Sequence, residues 1–329
     1  MTALPARHDE TDESPTDGDG RKTPGFSIGA HRIAAGRIAP GLHIVATPIG
    51  NLRDVTLRAL ETLAAADLIA CEDTRVTRVL LDRYGIRTPL VAYHEHNAAR
   101  MRPRLLAELA AGRAVALASD AGTPLVSDPG YRLVVEAAEL GYPVVPLPGA
   151  SAVLAALVAA AQPTDAFLFA GFLPVKGGPR KRRLTELGAV PATLVFFESP
   201  RRLGDCLADM VATLGAERPA AVARELTKLH ETIVRGTLGS LAETFAGDPP
   251  RGEIVVVIGP PGADETAPAD VDGLLRAALA RMPASAAAAD VARLTGEDRR
   301  TLYRRAMEMK AAAADEDGDS EEVDPTDEV

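Results

Sequence analysis

The chain has 329 residues, 47% of them hydrophobic and 25% charged, and a net charge of −10. That length allows about two domains plus tails, and that composition belongs to a packed globular body. Two cysteines, Cys71 and Cys206, with no CxxC or Cys/His cluster, exclude a disulfide scaffold and leave no metal site to expect. No apolar run reaches the roughly 18 residues of a membrane span. Asp9, Glu10, Asp12 and Glu13 lie where a secretory signal would be apolar, so the expected location is the cytoplasm, with no membrane partner.

Residues 1–40, rich in Pro, Gly, Asp and Thr, are expected to form a disordered arm. An N-terminal α/β lobe follows over 41–162. It opens with the apolar strand LHIVAT, the turn TPIGN and a helix on Leu57, Leu60 and Leu63, with Asp54 or Thr56 as N-cap. DLIAC, LVAY, AVALAS and PVVPL read as further strands, separated by helices ending near Tyr84, Leu109, Leu140 and Ala160. Such alternation predicts a mainly parallel sheet covered on both faces. A C-terminal α+β lobe with a mixed sheet is expected over 163–260, from the strands AFLFAGF, TLVFFE, AAVARE, ETIVRG and EIVVVIG. Between its first two strands, Lys176, Arg180, Lys181, Arg182 and Arg183 read as a basic loop, either a nucleic-acid contact or a solvated surface. Residues 270–311 predict a small helical module, shaped like a helix-turn-helix or any three-helix cap, with Gly296 in the last turn. Residues 312–329 read as an acidic disordered tail. From Asp315 onward there are nine acidic residues and no Lys or Arg, whereas 41–313 hold 31 charges of each sign. The acidity therefore belongs to the tail and says little about the working surface.

Three loops follow strands in the first lobe: TPIGNL (47–52), SDAGTPLVSDPG (119–130) and PLPGASA (146–152). Each alone reads as an ordinary turn or helix cap. Ser151 is a candidate N-cap, and Asp128-Pro129 can cap the helix that follows. Together they lie at strand carboxyl ends, where open α/β sheets bind ligands. No GxGxxG is present, which disfavours a dinucleotide site. FAGFLP offers Phe172 and Leu173 as an apolar wall. FFESPRRL offers Glu198, paired structurally with Arg201 or free to act. ARELTKLHE crowds Arg224, Glu225, Lys228, His230 and Glu231 into one inter-strand loop, either a site or a solvated hairpin. CEDTR and YHEHN lie at two more strand ends. His94 and His96 lack a third ligand nearby, so a polar contact to substrate outweighs a metal site.

LHIVATPIGNLRDVTLRALE, CEDTR, SDAGTPLVSDPGY, PLPGASA, GFLP, FFESPRRL and RELTK resemble the tetrapyrrole-methylase superfamily, and within it the bacterial small-subunit ribosomal RNA (cytidine-2′-O)-methyltransferases. The resemblance covers roughly residues 42–258, and more weakly the helical module. It implies a homodimer of two-lobed subunits with S-adenosylmethionine in the cleft, and methyl transfer to a ribose 2′-hydroxyl of a decoding-region cytidine in 16S rRNA. By motif matching it implies that Thr47, Pro48, Ser119, Asp120, Thr123, Ser151, Ala152, Phe172, Gly252 and Glu253 bind the cofactor. Precorrin-type relatives carry GDP where this chain has SDAG and GPGD where it has TPIGN, which weakens a tetrapyrrole substrate.

Charged residues at predicted strand ends make Asp73 or Glu198 the candidate proton acceptor and Lys228 the stabiliser of developing charge. RNA contacts are expected from Arg53, Arg75, His94, Asn97, Arg201, Lys181 and Arg182, plus the terminal module. With seven Phe, five Tyr and no Trp, backbone electrostatics are expected to outweigh base stacking. The rivals are a tetrapyrrole or protein side-chain methyltransferase of the same fold, and a non-catalytic ribosome-binding factor.

Overall fold

A computed structural model describes residues 24–125, 130–262, 271–295 and 297–318, with side chains to residue 311. The chain divides into two units, Met1–Pro260 and Pro261–Val329. Asp128-Pro129, Gly296, residues 1–23 and residues 319–329 lie outside the described residues.

The first described element of the first unit is an antiparallel hairpin, β1 (Gly25–Ile28) and β2 (His31–Ala34). This corrects the reading of 1–40 as one disordered arm. Phe26, only 1% exposed, and Ala35 enter the same core as the first helix, and the Ser27 N–H donates to the Tyr84 carbonyl. One aromatic anchor among Gly, Ser and Arg leaves no periodic signal, so tertiary packing decides the structure here.

The first sheet has the strands β3 (Gly41–Val45), β4 (Leu68–Cys71), β5 (Leu90–Ala92), β6 (Ala114–Ala118) and β7 (Val144–Leu147). Their order is β5-β4-β6-β3-β7 and every pairing is parallel. β3 and β6 are buried along their whole length, which is why they read as unbroken apolar runs. α1 (Leu57–Ala65) and α2 (Thr74–Arg83) cover one face through Leu60, Leu63 and Leu81. α3 (Ala98–Ala110) and α4 (Tyr131–Glu139) cover the other through Leu105, Leu109 and Leu133. Thr56, not Asp54, caps α1, accepting from the Ala59 N–H.

α5 (Ala152–Ala159) follows β7 but buries Val153, Ala156 and Leu157 against the second sheet, so one helix ties the lobes together. That sheet comprises β8 (Phe167–Phe172), β9 (Thr193–Glu198), β10 (Pro219–Arg224), β11 (Thr232–Thr237) and β12 (Ile254–Ile258), in the order β11-β10-β12-β9-β8. Only β8 and β9 pair in parallel, so the sheet is mixed. α6 (Gly177–Gly188), α7 (Leu203–Leu214) and α8 (Leu238–Thr244) cover its far face. The basic cluster lies on α6 rather than in a loop. Arg180 is buried and bonds Asp209 on α7 and the Val175 carbonyl; Lys181 reaches the same carboxylate. Lys181, Arg182 and Arg183 remain exposed.

The second unit is a three-helix module with its own core: α9 (Val271–Leu279), α10 (Ala284–Thr295) and α11 (Arg299–Gly318), packed around Leu275, Ala287, Val291 and Leu302. α11 runs on to Gly318, so the segment expected as a disordered tail from residue 312 begins as helix.

Candidate active site

The loops after β3, β6 and β7 are stitched to one another by backbone groups. Thr47 and Gly122 exchange two N–H···O bonds of 2.9 and 3.0 Å. The Thr47 hydroxyl donates to the Ser119 carbonyl at 2.9 Å, and the Thr123 hydroxyl to the Ala150 carbonyl at 3.3 Å. Two cavities open beside these loops, and Ile49, Ala121 and Glu253 line both.

The first cavity, about 450 Å³, lies between the lobes. Ile49, Val153, Phe172, Phe197, Ile254 and Val255 make an apolar wall, while Thr123, Ser151 and Glu253 supply a polar edge. A register shift between Phe169 and Phe172 in the β8–β9 pairing re-aims Phe172, whose ring meets Phe197 edge-on at 5.7 Å between centroids. Ser151 and Ala152 also line it, with Ser151 as the N-cap of α5. Gly252 sits at φ +98, and a Cβ there would overlap the Glu225 carboxylate. This position needs glycine for both reasons. Glu198, 3% exposed, borders the same cavity; its Oε1 accepts from the Ser199 N–H at 2.7 Å and lies 3.3 Å from Arg202. The structural partner of Glu198 is thus Arg202, not Arg201. Arg202 in turn donates to the Leu173 carbonyl at 2.7 Å, fixing the strand end that carries Phe172.

The second cavity, about 330 Å³, is lined by Thr47, Pro48, Gly50, Val76, Thr77, Ser119, Asp120 and Lys228 among others. The ten residues assigned to cofactor binding therefore divide. Thr123, Ser151, Ala152, Phe172 and Gly252 line the first cavity, Thr47, Pro48, Ser119 and Asp120 the second, and Glu253 both. Burial raises the Asp120 pKa; the Asp73 N–H, donated to its Oδ1 at 2.9 Å, opposes this and the Asp73 charge adds to it. Lys228 lies 2.9 Å from Glu225 and 3.2 Å from Glu253. Its burial disfavours the charge, but the bonds to both carboxylates win and raise its pKa. Glu225 and Thr227 hold φ of 53 and 65, a left-handed conformation that costs about 1 kcal/mol per residue without glycine. The strain is spent on turning Lys228 against Gly50, where any side chain would collide with it.

Asp73 lines neither cavity. It is the N-cap of α2 and binds the Arg75 guanidinium at 2.6 Å, which drives its pKa down to about 2. Such a carboxylate is a poor proton acceptor. Arg75 is exposed but already paired with it. Asn97 is committed to its own loop, donating to the Ala92 carbonyl and accepting from the His94 N–H. Arg53 is exposed on the short turn after TPIGN. Arg201 borders an open groove with Pro249, Pro250 and Arg251. Sequence reading missed Arg251, since one arginine in a Pro-Pro loop carries no pattern. Ile49 and Phe197 were missed because lining and core residues share one composition. Among the described residues no cluster of His, Cys, Asp and Glu is placed to hold a metal, and no helix is long and apolar enough to cross a membrane.

Residues 41–242 match the family of Tetrapyrrole (Corrin/Porphyrin) Methylases, and residues 265–310 match the RsmI C-terminal HTH domain. Among solved structures, diphthine synthase superposes with a TM-score of 0.53 at 16% identity, covering 66% of this chain and 89% of its own. A cobalt precorrin-4 methyltransferase does so with a TM-score of 0.51 at 20% identity, covering 66% and 94%. At these identities the likeness is one of fold alone; the family match is what defines a two-lobed protein of the tetrapyrrole-methylase class. Ribosomal RNA small subunit methyltransferase I of Mesorhizobium japonicum is 60% identical over 292 residues, 88% of this chain and 99% of the relative. The protein of that name from Escherichia coli O157:H7 is 47% identical over 272 residues, 82% and 95%. The chain belongs to the ribosomal RNA small subunit methyltransferase I family.

Proposed function

We propose that this protein transfers the methyl group of S-adenosylmethionine to small-subunit ribosomal RNA, at the ribose 2′-hydroxyl of a cytidine in the decoding region of 16S rRNA. One observation carries the reading: an apolar cavity and a charged cavity meet along a shared border of Ile49, Ala121 and Glu253, so ligands in the two would touch there. The names of the relatives supply the class of substrate.

The first cavity fits the cofactor. Its volume lies in the range of small-molecule sites. Phe172, Phe197, Ile49 and Val255 suit the flat apolar face of adenine, and Thr123, Ser151 and Glu253 suit the ribose and amino-acid ends. When bound, S-adenosylmethionine supplies an electrophilic methyl on a sulfonium, already a good leaving group.

The protein's own contribution is alignment and proton handling. Holding hydroxyl and methyl in line supplies roughly 7–11 kcal/mol of the barrier. Asp73 is ion-paired with Arg75 and lines neither cavity, and Glu198 faces the apolar one, so neither sits where the hydroxyl would enter. Asp120 does, with a pKa raised toward the working range, and it takes the proton. Lys228, kept cationic by Glu225 and Glu253, steadies the developing oxyanion. The reading includes a cytoplasmic homodimer. Exposed Leu154 and Val158 on α5 and exposed Phe167 on the edge strand β8 support the pairing.

Ribose-methylation mapping of 16S rRNA tests this in a deletion strain and its complemented partner. One cytidine losing and regaining the mark is the expected result; an unchanged map ends the reading.

A further inference from the structure

We propose that the outward face of α11, built from Arg299, Arg300, Tyr303 and Arg304, docks an RNA sugar-phosphate backbone as an anchor made of residues other than those lining the two cavities. This rests on the RNA substrate proposed above. α11 buries Leu302 and Ala306 in the module core and leaves these four residues exposed. At 3.6 residues per turn, Arg300 and Arg304 stack in one row, and Arg299 and Tyr303 in the next.

The face is expensive as local design. Arg299 and Arg300 occupy the first turn, where the helix dipole disfavours cations. Arg300 and Arg304 are like charges one turn apart, which destabilises an isolated helix. Of the module's other four arginines, Arg293 is paired with Asp290 and Arg305 with Asp272, while Arg276 and Arg281 are scattered singly on α9 and the turn after it. Among the described residues no ion pair forms to Arg299, Arg300 or Arg304, and the one carboxylate that feels the charge of Arg300 is Asp298, just before the helix. Costs of one sign, repeated on one exposed face, mark a surface completed by a partner that brings negative charge.

RNA fits better than an acidic protein. Guanidinium groups bind phosphate oxygens in a bidentate fork. Tyr303, 44% exposed between the arginines, presents a ring for a ribose or a base. The face's exposed apolar residues are Tyr303 and, one turn on, Met307, too few for the apolar centre of a stable protein interface. Residues 41–313 are neutral overall, so affinity for a polyanion has to come from a local concentration of positive charge such as this one.

The test uses the full chain carrying Arg300→Gln with Arg304→Gln, and Arg293→Gln as control. Binding to a 16S decoding-region transcript is measured between 50 and 200 mM salt, alongside methyl transfer to unmodified small subunits. The double variant is expected to weaken transcript binding about tenfold at the lower salt, and to lower the log–log salt slope by about two. KM for subunits rises, kcat stays within about twofold, cofactor affinity by calorimetry is unchanged, and Arg293→Gln matches wild type. Restoring charge as Arg300→Lys with Arg304→Lys recovers the slope. An unchanged slope overturns the proposal. So does a loss of subunit binding with transcript binding intact, which assigns the face to a ribosomal protein. A lowered Tm of the double variant, unrestored by lysine, makes the face structural and overturns it too. Absence of methyl transfer by wild type would instead defeat the function proposed above, because the salt slope is read without activity.

Discussion

Asp120 and Asp73 are joined by one hydrogen bond and perturbed in opposite directions. Asp73 is held at about 2 by Arg75, so it stays ionised across the working pH range. Asp120 is raised by burial, and a base acts only when deprotonated. Methyl transfer should therefore climb with pH through a value above the ordinary 3.8. Asp120→Asn should lower single-turnover rates by about 10²–10⁴-fold and abolish that limb of the profile. The stability sign is opposite. A carboxyl with a raised folded pKa binds its proton more tightly when folded, so it favours the fold at low pH and opposes it as pH rises past that pKa. Asp120→Asn should thus raise Tm at neutral pH while it removes activity, as strained catalytic groups commonly do. Full activity in Asp120→Asn, with loss in Asp73→Asn, would return the proton to Asp73.

At the scale of elements, the cleft depends on segments that have little regular structure. Gly252 precedes β12 at φ +98 and gives its space to the Glu225 carboxylate, which accepts the Glu253 N–H at 3.0 Å. Gly252→Ala should displace Glu225, loosen Lys228 and weaken cofactor binding, read by calorimetry. A stability loss of about 1–3 kcal/mol in a urea melt should accompany it. Unchanged affinity would place the cofactor elsewhere. The same feature marks what the sequence makes legible. β3, β6, β9 and β12 are apolar runs or alternations and read directly, and so do the loops at their ends. The left-handed turn at Glu225 and Thr227 does not, because neither residue is one that usually signals such a turn. The exchange of Arg201 for Arg202 as the partner of Glu198 has a similar origin. The segment after Ser199 enters α7 through a 3-10 turn, Pro200–Arg202, rather than starting a regular helix, and this shifts which arginine faces back. The β1–β2 hairpin escapes for a third reason, since its stability comes from burying one Phe against a distant helix.

At the scale of the molecule, the two units carry separate cores, and all lining of the two cavities beside the strand-end loops comes from residues of the first. If the proposed function holds, cofactor binding and RNA gripping should therefore be separable. A chain ending at Pro260 should bind S-adenosylmethionine with the affinity of the full protein, since it keeps every residue from Thr47 to Val255 that borders those cavities. It should lose affinity for the decoding-region RNA, and more of it at low salt, because the cationic face of α11 is gone. Ending the chain after Ala314 instead removes nine acidic residues and no basic ones. That variant should bind RNA more tightly than the full chain at low salt and converge with it as salt rises, because screening removes the repulsion of the tail. Filter binding over a salt series, run on all three chains with calorimetry for the cofactor, separates these contributions. A loss of cofactor affinity on ending at Pro260 would mean that the module completes the cleft, and the division of labour between the two units would fall.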